Sequence, residues 1–245
     1  MSIASRTHDE TADGLNRAQD RAARAEHRLP AVLAVLAALT LYLLLPNSVL
    51  PLWLRLTVVG VGVVLLVPVI VLNPHRLHRQ TAWSRYLSVG QALALMAVNQ
   101  YAMAHLIIQL VTAKNSDGPS LLIAALQVWV TNVIAFALIY WEMDRGGPVA
   151  RRHDNRSELP FADFRFPQDE DHDAITEVAA RSSAKLDWMP SFIDYLYFSG
   201  TNSMAFSPTD TMPLSPRAKV LMLTEAFGGF VILALVIAHA VGQLG

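Results

Sequence analysis

The sequence of 245 residues contains no cysteine, and only 16 % of its residues are charged. The absence of cysteine excludes disulfide bonds, thiolate nucleophiles and metal sites with thiolate ligands. The scarcity of charge accompanies a hydrophobic fraction of 53 %, which is too high for an ordinary soluble domain. The net charge of −1 carries no information about nucleic acid, and the basic residues lie in several loops rather than in one patch, so we expect no nucleic acid partner. The composition therefore indicates a membrane protein.

Long apolar runs account for most of this composition. Each run is about as long as the roughly 20 residues that an α-helix needs to cross the hydrocarbon layer. Glu225 is the one carboxylate within the last run. We therefore expect an all-α polytopic membrane protein with four N-terminal spans, a re-entrant pore-type half-helix and a final span. The runs cover residues 31–54, 56–72, 86–113, 119–141 and 220–241.

Composition also divides the chain into four segments. A polar N-terminal segment (1–29) precedes a four-helix transmembrane domain (30–142), a hydrophilic segment (143–188) and a pore-like module (189–245). Basic residues cluster in the N-terminal segment, in the loop 74–85 and at the start of the hydrophilic segment, and short basic loops stay in the cytoplasm. We therefore expect a protein of the bacterial cytoplasmic membrane, surrounded by membrane lipids, with a cytoplasmic N-terminus.

The third apolar run is unusually polar for a helix that faces lipid. At about 100° per residue, Gln91, His105 and Gln109 fall on one face of a helix, and Asn99 flanks them. Polar residues within a span face a partner helix or an aqueous path rather than lipid. Hydrogen bonding between helices is the simpler interpretation of this polar stripe, and an aqueous path is the alternative.

The hydrophilic segment carries no catalytic pattern. It has no glycine-rich phosphate loop, no serine in a nucleophile elbow and no histidine-rich metal pattern. It is also too short to bury a core of its own. We therefore expect no enzymatic activity, no cofactor and no metal site.

The end of the chain holds the most specific pattern. Residues 191–206 are apolar enough to enter a membrane, but Asp194, Gly200 and Asn202 interrupt them, and a helix of this length is too short to cross it. A polar turn follows, and a full-length helix begins at Pro216. This order is typical of a re-entrant pore loop, which would leave the C-terminus outside the cell. The alternative is a segment that spans fully and returns the C-terminus to the cytoplasm.

Three stretches of this region resemble the two-transmembrane module of potassium channels. DYLYFS (194–199) resembles the pore helix, DTMP (210–213) the turn after the filter, and LTEAFGG (223–229) the inner helix. The region also resembles a family of uncharacterised bacterial inner-membrane proteins that carry this module after several added helices. The resemblance implies a channel-like homotetramer with an inorganic ion as permeant, in which Asp210 follows the filter and Gly229 is the hinge of the inner helix.

The filter itself departs from the potassium-channel pattern. Where that family has Thr-Val-Gly-Tyr-Gly-Asp, this chain has AFSPTD (205–210). The two glycines allow successive carbonyl groups to point at the ion, but Ser207 and Thr209 occupy their places, and Pro208 fixes its own φ. We therefore expect a filter of a different type, formed by Ser207, Pro208, Thr209 and Asp210, without potassium selectivity.

One face of the last helix has the composition of a pore lining. Four copies around an axis would form a carboxylate ring, an aliphatic constriction and a histidine ring that responds to pH. The alternative is that Glu225 hydrogen-bonds a neighbouring helix and that Gly228 and Gly229 permit close packing. The predicted pore-lining residues are Glu225, Gly229, Ile232, Val236 and His239.

The sequence therefore favours a channel-like tetramer that forms a weakly selective pathway for cations or other ions. The alternative is a non-conducting membrane scaffold or accessory subunit that retains a degenerate pore module.

Overall fold

The computed structural model describes residues 26–72, 82–112, 118–170, 180, 182, 187–204 and 210–242. The described residues form seven α-helices and one ladder of two short strands, which confirms the all-α class. The helices are α1 (Leu29–Leu44), α2 (Leu52–Leu72), α3 (Ala82–Thr112), α4 (Gly118–Met143), α5 (Pro148–His153), α6 (Phe192–Met204) and α7 (Pro216–Gly242). The strands are β1 (Phe164–Arg165) and β2 (Met212–Pro213).

Three helices are long and apolar enough to cross a membrane. They lie in α3, in α4 with the turn that follows it, and in α7. The prediction of four N-terminal spans is therefore shown only in part. Helix α1 has 16 residues, or about 24 Å, because Leu45 adopts the extended conformation favoured before Pro46. Helix α2 has 21 residues, and the stretch Leu52–Val67 within it is apolar.

A buried arginine closes the turn between α1 and α2. The Arg55 guanidinium donates a hydrogen bond to the carbonyl oxygen of Leu43 at 3.0 Å, and others to Leu45 O and to the side chain of Asn47. The last carbonyl groups of a helix lack intrahelical partners, and a cation there is favourable. Arg55 therefore supplies donors that hold α1 and α2 together as a hairpin.

Helix α4 is the centre of the molecule. It packs against α1, α3, α6 and α7, and every side chain from Thr131 to Glu142 is buried. A helix that is apolar around most of its circumference is expected in such a position.

The chain reverses direction directly after α4. Arg145, Gly146 and Gly147 have φ angles of 50°, 80° and 95°, which end the helix, and α5 begins at Pro148. Asp144 holds the returning chain, since its Oδ1 accepts hydrogen bonds from the backbone N–H groups of residues 163 and 164 at 2.7 and 3.3 Å. Part of the hydrophilic segment is thus fixed to the end of α4.

The short helix α6 enters the molecule beside this same end of α4. Near its start, the Tyr195 hydroxyl donates to Asp144 Oδ2 at 2.6 Å, and further along Ser199 lies against Val133, deep in α4. Residues 212–213 form β2, which pairs antiparallel with β1. Because Phe164 of β1 is bonded to Asp144, the chain has returned to the same end of α4 by this point. The segment 192–213 therefore begins and ends at the same end of α4.

Candidate functional site

A buried polar cluster lies where α4, α6 and α7 meet. Glu225 is completely buried, and its Oε2 accepts hydrogen bonds from the Tyr140 hydroxyl and from the Asn202 side-chain amide, both at 2.7 Å. Its Oε1 is in contact with the Ser199 hydroxyl. We call these four residues the Glu225 cluster. The partners come from α4 and α6 of the same chain, so the carboxylate is enclosed within a single protomer.

The number of protons in this cluster is informative. Ser199 has a single hydroxyl proton, yet its oxygen lies 2.8 Å from the carbonyl oxygen of Val133 as well as next to Glu225. Both contacts are hydrogen bonds when Ser199 donates to Val133 O and Glu225 donates to Ser199. Such an arrangement would require a protonated carboxyl group at Glu225, and the hydrogen-bond partners found for this group among the described residues include no cation.

The other predicted pore-lining residues follow the same packing. A Cβ atom added to Gly229 would lie 2.7 Å from Ser203 Oγ and against the Ser203 carbonyl oxygen, so α6 and α7 touch here. Ile232 is also buried, whereas Val236 and His239 are half-buried. Within one chain, the first part of the predicted pore face contacts other helices. The tetrameric pore stays a prediction. The contacts seen are those of the alternative, in which Glu225 hydrogen-bonds a neighbouring helix and Gly229 permits close packing.

Beyond Lys219, most of the exposed side chains of α7 are large and apolar. Large apolar side chains there suit contact with lipid. They are Val220, Leu223, Phe227, Phe230, Leu233, Ile237 and Val241.

Three of the four predicted filter-loop residues, Ser207, Pro208 and Thr209, lie outside the described residues. Asp210 is exposed, and Thr211 next to it is buried. The prediction for this loop therefore stays a prediction.

Two glutamines of the polar stripe in α3 bond to separate parts of the chain. Gln91 donates to the carbonyl oxygen of Gly62 in α2 at 3.1 Å, and Gln109 donates to that of Ser48, in the α1–α2 turn, at 3.4 Å. His105 is half-buried, with its ring 4.6 Å from that of Tyr101. The stripe is therefore divided among different neighbours.

Asn99, the fourth member of the stripe, belongs to a second buried cluster. Its amide donates to Asn132 Oδ1 at 2.7 Å, and its own Oδ1 accepts from Thr131 at 2.7 Å and from Tyr42 at 3.4 Å. These bonds join α1, α3 and α4, which is hydrogen bonding between helices as in the simpler interpretation.

The structural role of Arg151 was not predicted from the sequence. This side chain is fully buried, donates to the carbonyl oxygens of Trp141 and Asp144 at 2.7 Å each, and lies 5.1 Å from the ring centre of Tyr195. It therefore satisfies carbonyl groups at the end of α4. The adjacent Gly-Gly-Pro predicted only that the helix stops.

Glu26 connects the N-terminal flank to α6. Its carboxylate accepts a hydrogen bond from the backbone N–H of Phe192 at 2.5 Å and another from the Trp141 indole at 3.3 Å. Burial raises the pKa of Glu26 above its ordinary value, and the positive charge of Arg151 offsets part of this effect. Glu26 thus lies at the start of α6, and its raised pKa means that it keeps its proton to a higher pH than an exposed glutamate does.

In the part of the chain that the structure describes, no group of three or more histidine or carboxylate side chains could hold a metal ion. Comparison of the chain with protein-family models, curated proteins and solved structures finds no match. The likeness to potassium-channel modules therefore rests on the quoted residues alone.

Proposed function

We propose that the protein is a non-conducting membrane scaffold or accessory subunit, in which the pore-like module is a packing unit. The observation that carries this proposal is the enclosure of Glu225. Both oxygens of its carboxyl group have partners from the same chain, so no face of this group is left for a central axis. A carboxylate that lines a pore must be reached by water.

The arrangement of the module supports the same function. Helix α6 is a re-entrant half-helix in this proposal, because residues 192–213 begin and end at one end of α4. It is wedged between α4 and α7, with which it shares the Glu225 cluster. In this position the half-helix provides buried contacts between α4 and α7.

The scaffold holds a shaped surface at one membrane face, which we take to be cytoplasmic because the basic segments lie there. Arg217 at the start of α7 forms a bidentate ion pair with Asp163, at 2.7 Å through Nε and 2.5 Å through Nη2. Arg145 pairs with Asp169 at 2.5 Å. These ion pairs attach the hydrophilic segment to the helix ends. The segment therefore keeps a fixed shape, which a surface that binds a partner needs. We propose no enzymatic activity.

The test is ion flux through the full-length protein reconstituted in liposomes. We expect no flux of potassium, sodium or protons above that of empty liposomes. Because the chain has no cysteine, Ile232→Cys and Val236→Cys can be probed one at a time with small water-soluble thiol reagents. Both should stay unmodified, whereas Glu158→Cys, at an exposed position, is the reactive control.

Flux that depends on residue 225 would overturn the proposal. If liposomes conduct, if Glu225→Gln alters the conductance or the cation preference, and if the thiols at 232 and 236 react, the weakly selective channel is the correct function. Four-fold particles in mild detergent would then be expected as well.

A further inference from the structure

A groove of about 500 Å³ opens between α3, α4 and α7, at the end of α4 that carries Asp144. Apolar side chains from all three helices form its walls, among them Val89, Leu93, Ile139 and Leu221. Two arginines, Arg85 of α3 and Arg217 of α7, line it as well. We call this the Arg85 groove. The Arg85 groove therefore combines an apolar wall with a basic site.

Positive charge at this site is only partly neutralised. Arg85 is exposed, and it makes no hydrogen bond or ion pair with the residues that the structure describes. Arg217 uses Nε and Nη2 for Asp163, which leaves its Nη1 without a partner among these residues, and its side chain is 61 % exposed. Two guanidinium groups can therefore still donate hydrogen bonds to an anionic oxygen.

The carboxylate in the groove does not cancel this charge. Glu142 is part of the lining, and the positive charges of Arg151, Arg28 and Arg85 act on it together with the negative charge of Glu26. Three guanidinium groups and one further carboxyl group thus act on Glu142. An anion at the mouth is favoured over a cation or a zwitterion.

The surroundings identify the source of the anion. Trp83 and Tyr86, 78 % and 74 % exposed, lie on α3 beside Arg85, as aromatic side chains do at the level of lipid headgroups. A free phosphate would leave the apolar walls uncovered, whereas an acyl chain would cover them. Basic pockets between membrane helices on the cytoplasmic side bind anionic headgroups.

We propose that the Arg85 groove binds an anionic phospholipid, with its phosphate on Arg85 and Arg217 and one acyl chain along the apolar wall. The inference does not depend on the proposed function, since a scaffold and a channel could equally carry such a lipid.

Native mass spectrometry of the full-length, delipidated protein in mild detergent tests this proposal. Dioleoylphosphatidylglycerol is compared with dioleoylphosphatidylcholine, which has the same chains and no net charge. We expect tighter binding of phosphatidylglycerol, and an affinity loss of about fivefold in Arg85→Gln for this lipid alone. Arg85→Lys should recover most of the binding. Lys219→Gln removes one exposed charge of α7 outside the groove and should change nothing.

Four results would overturn the proposal. Equal affinity for the two lipids would show that the headgroup charge is not recognised. An unchanged affinity in Arg85→Gln would show that the lipid does not bind at Arg85. Equal losses in Arg85→Gln and Lys219→Gln would indicate diffuse surface charge. If inorganic phosphate alone binds with the same dependence on Arg85, and the protein does not distinguish the lipids, the groove is a site for a free anion.

Discussion

At the scale of single residues, Glu225 decides which function the C-terminal module can have. Because Ser199 can donate to Val133 O, a glutamine at 225 can donate to Ser199 while its oxygen accepts from Tyr140 and Asn202. We therefore expect Glu225→Gln to fold with nearly unchanged stability. Glu225→Leu has a similar size but leaves Tyr140 and Asn202 without an acceptor. It should lower the free energy of unfolding by about 2 kcal/mol or more.

The measurement is the thermal unfolding of both variants in the same mild detergent. Tyr140→Phe in the Glu225→Leu background provides a further check, since the hydroxyl has already lost its partner there and its removal should cost little. Equal destabilisation by glutamine and leucine would contradict the hydrogen-bond assignment and favour an ionised carboxylate.

Glu26 gives the protein a dependence on pH. Burial raises its pKa in the folded protein above the ordinary value of 4.5. Its contribution to stability is therefore fully present below the unfolded pKa and is lost as the pH rises through the raised folded pKa. Relative to Glu26→Gln, whose side chain does not titrate, the wild type should lose thermal stability as the pH rises above about 4.5.

The control for this experiment is Glu158→Gln, because Glu158 is exposed. Its melting temperature should follow that of the wild type at every pH. A wild type that gains stability relative to Glu26→Gln as the pH rises would show that hydrogen bonds and Arg151 outweigh burial.

At the scale of helices, two adjacent glycines of α7 make a matched pair. A Cβ at position 229 meets the backbone carbonyl of Ser203, which cannot move without shifting α6. A Cβ at position 228 lies 2.8 Å from the sulfur of Met103, the flexible end of a side chain. We expect Gly229→Ala to lower the free energy of unfolding by about 1–3 kcal/mol. Gly228→Ala should be close to neutral, because alanine favours the helix by about 0.5–1 kcal/mol.

Thermal unfolding separates these two variants, and Gly90→Ala, where nothing lies within 4 Å of the added Cβ, is the reference for helix propensity alone. A smaller loss for Gly229→Ala than for Gly228→Ala would mean that α6 and α7 are not in close contact at Ser203.

Local patterns predicted the elements better than their contacts. Pro46 and the sequence Gly146-Gly147-Pro148 mark real helix ends, and the segment before Asp210 contains a short helix of 13 residues. These features depend on neighbouring residues, so the sequence carries them. The length of α1 was overestimated because apolar composition continues through Pro46 up to α2.

The candidate site was predicted only in part, since its partners are distant in sequence. The polar face at Glu225 was recognised, but Tyr140 lies 85 positions away on another helix. Nothing local indicates that it donates to the carboxyl group. Arg151 was likewise indistinguishable from a basic residue that only sets orientation, because its burial depends on how residues 144–170 fold back on α4.

At the scale of the whole molecule, the half-helix determines the side of the membrane on which the chain ends. If residues 192–213 begin and end on one side of the membrane, α7 carries the C-terminus to the other side.

Single cysteines at Glu158 and Asp210 should then react with a membrane-impermeant maleimide from the cytoplasmic side. Cysteines at Thr112 and Gly242 should react from outside. All four positions are exposed, and the native chain has no cysteine to interfere. Intact cells and inverted vesicles give the two directions, and Glu158 is the internal reference. If Asp210 reacts with the external group and Gly242 with the cytoplasmic one, α6 crosses the membrane fully, and the pairing of β1 with β2 cannot exist in the native protein.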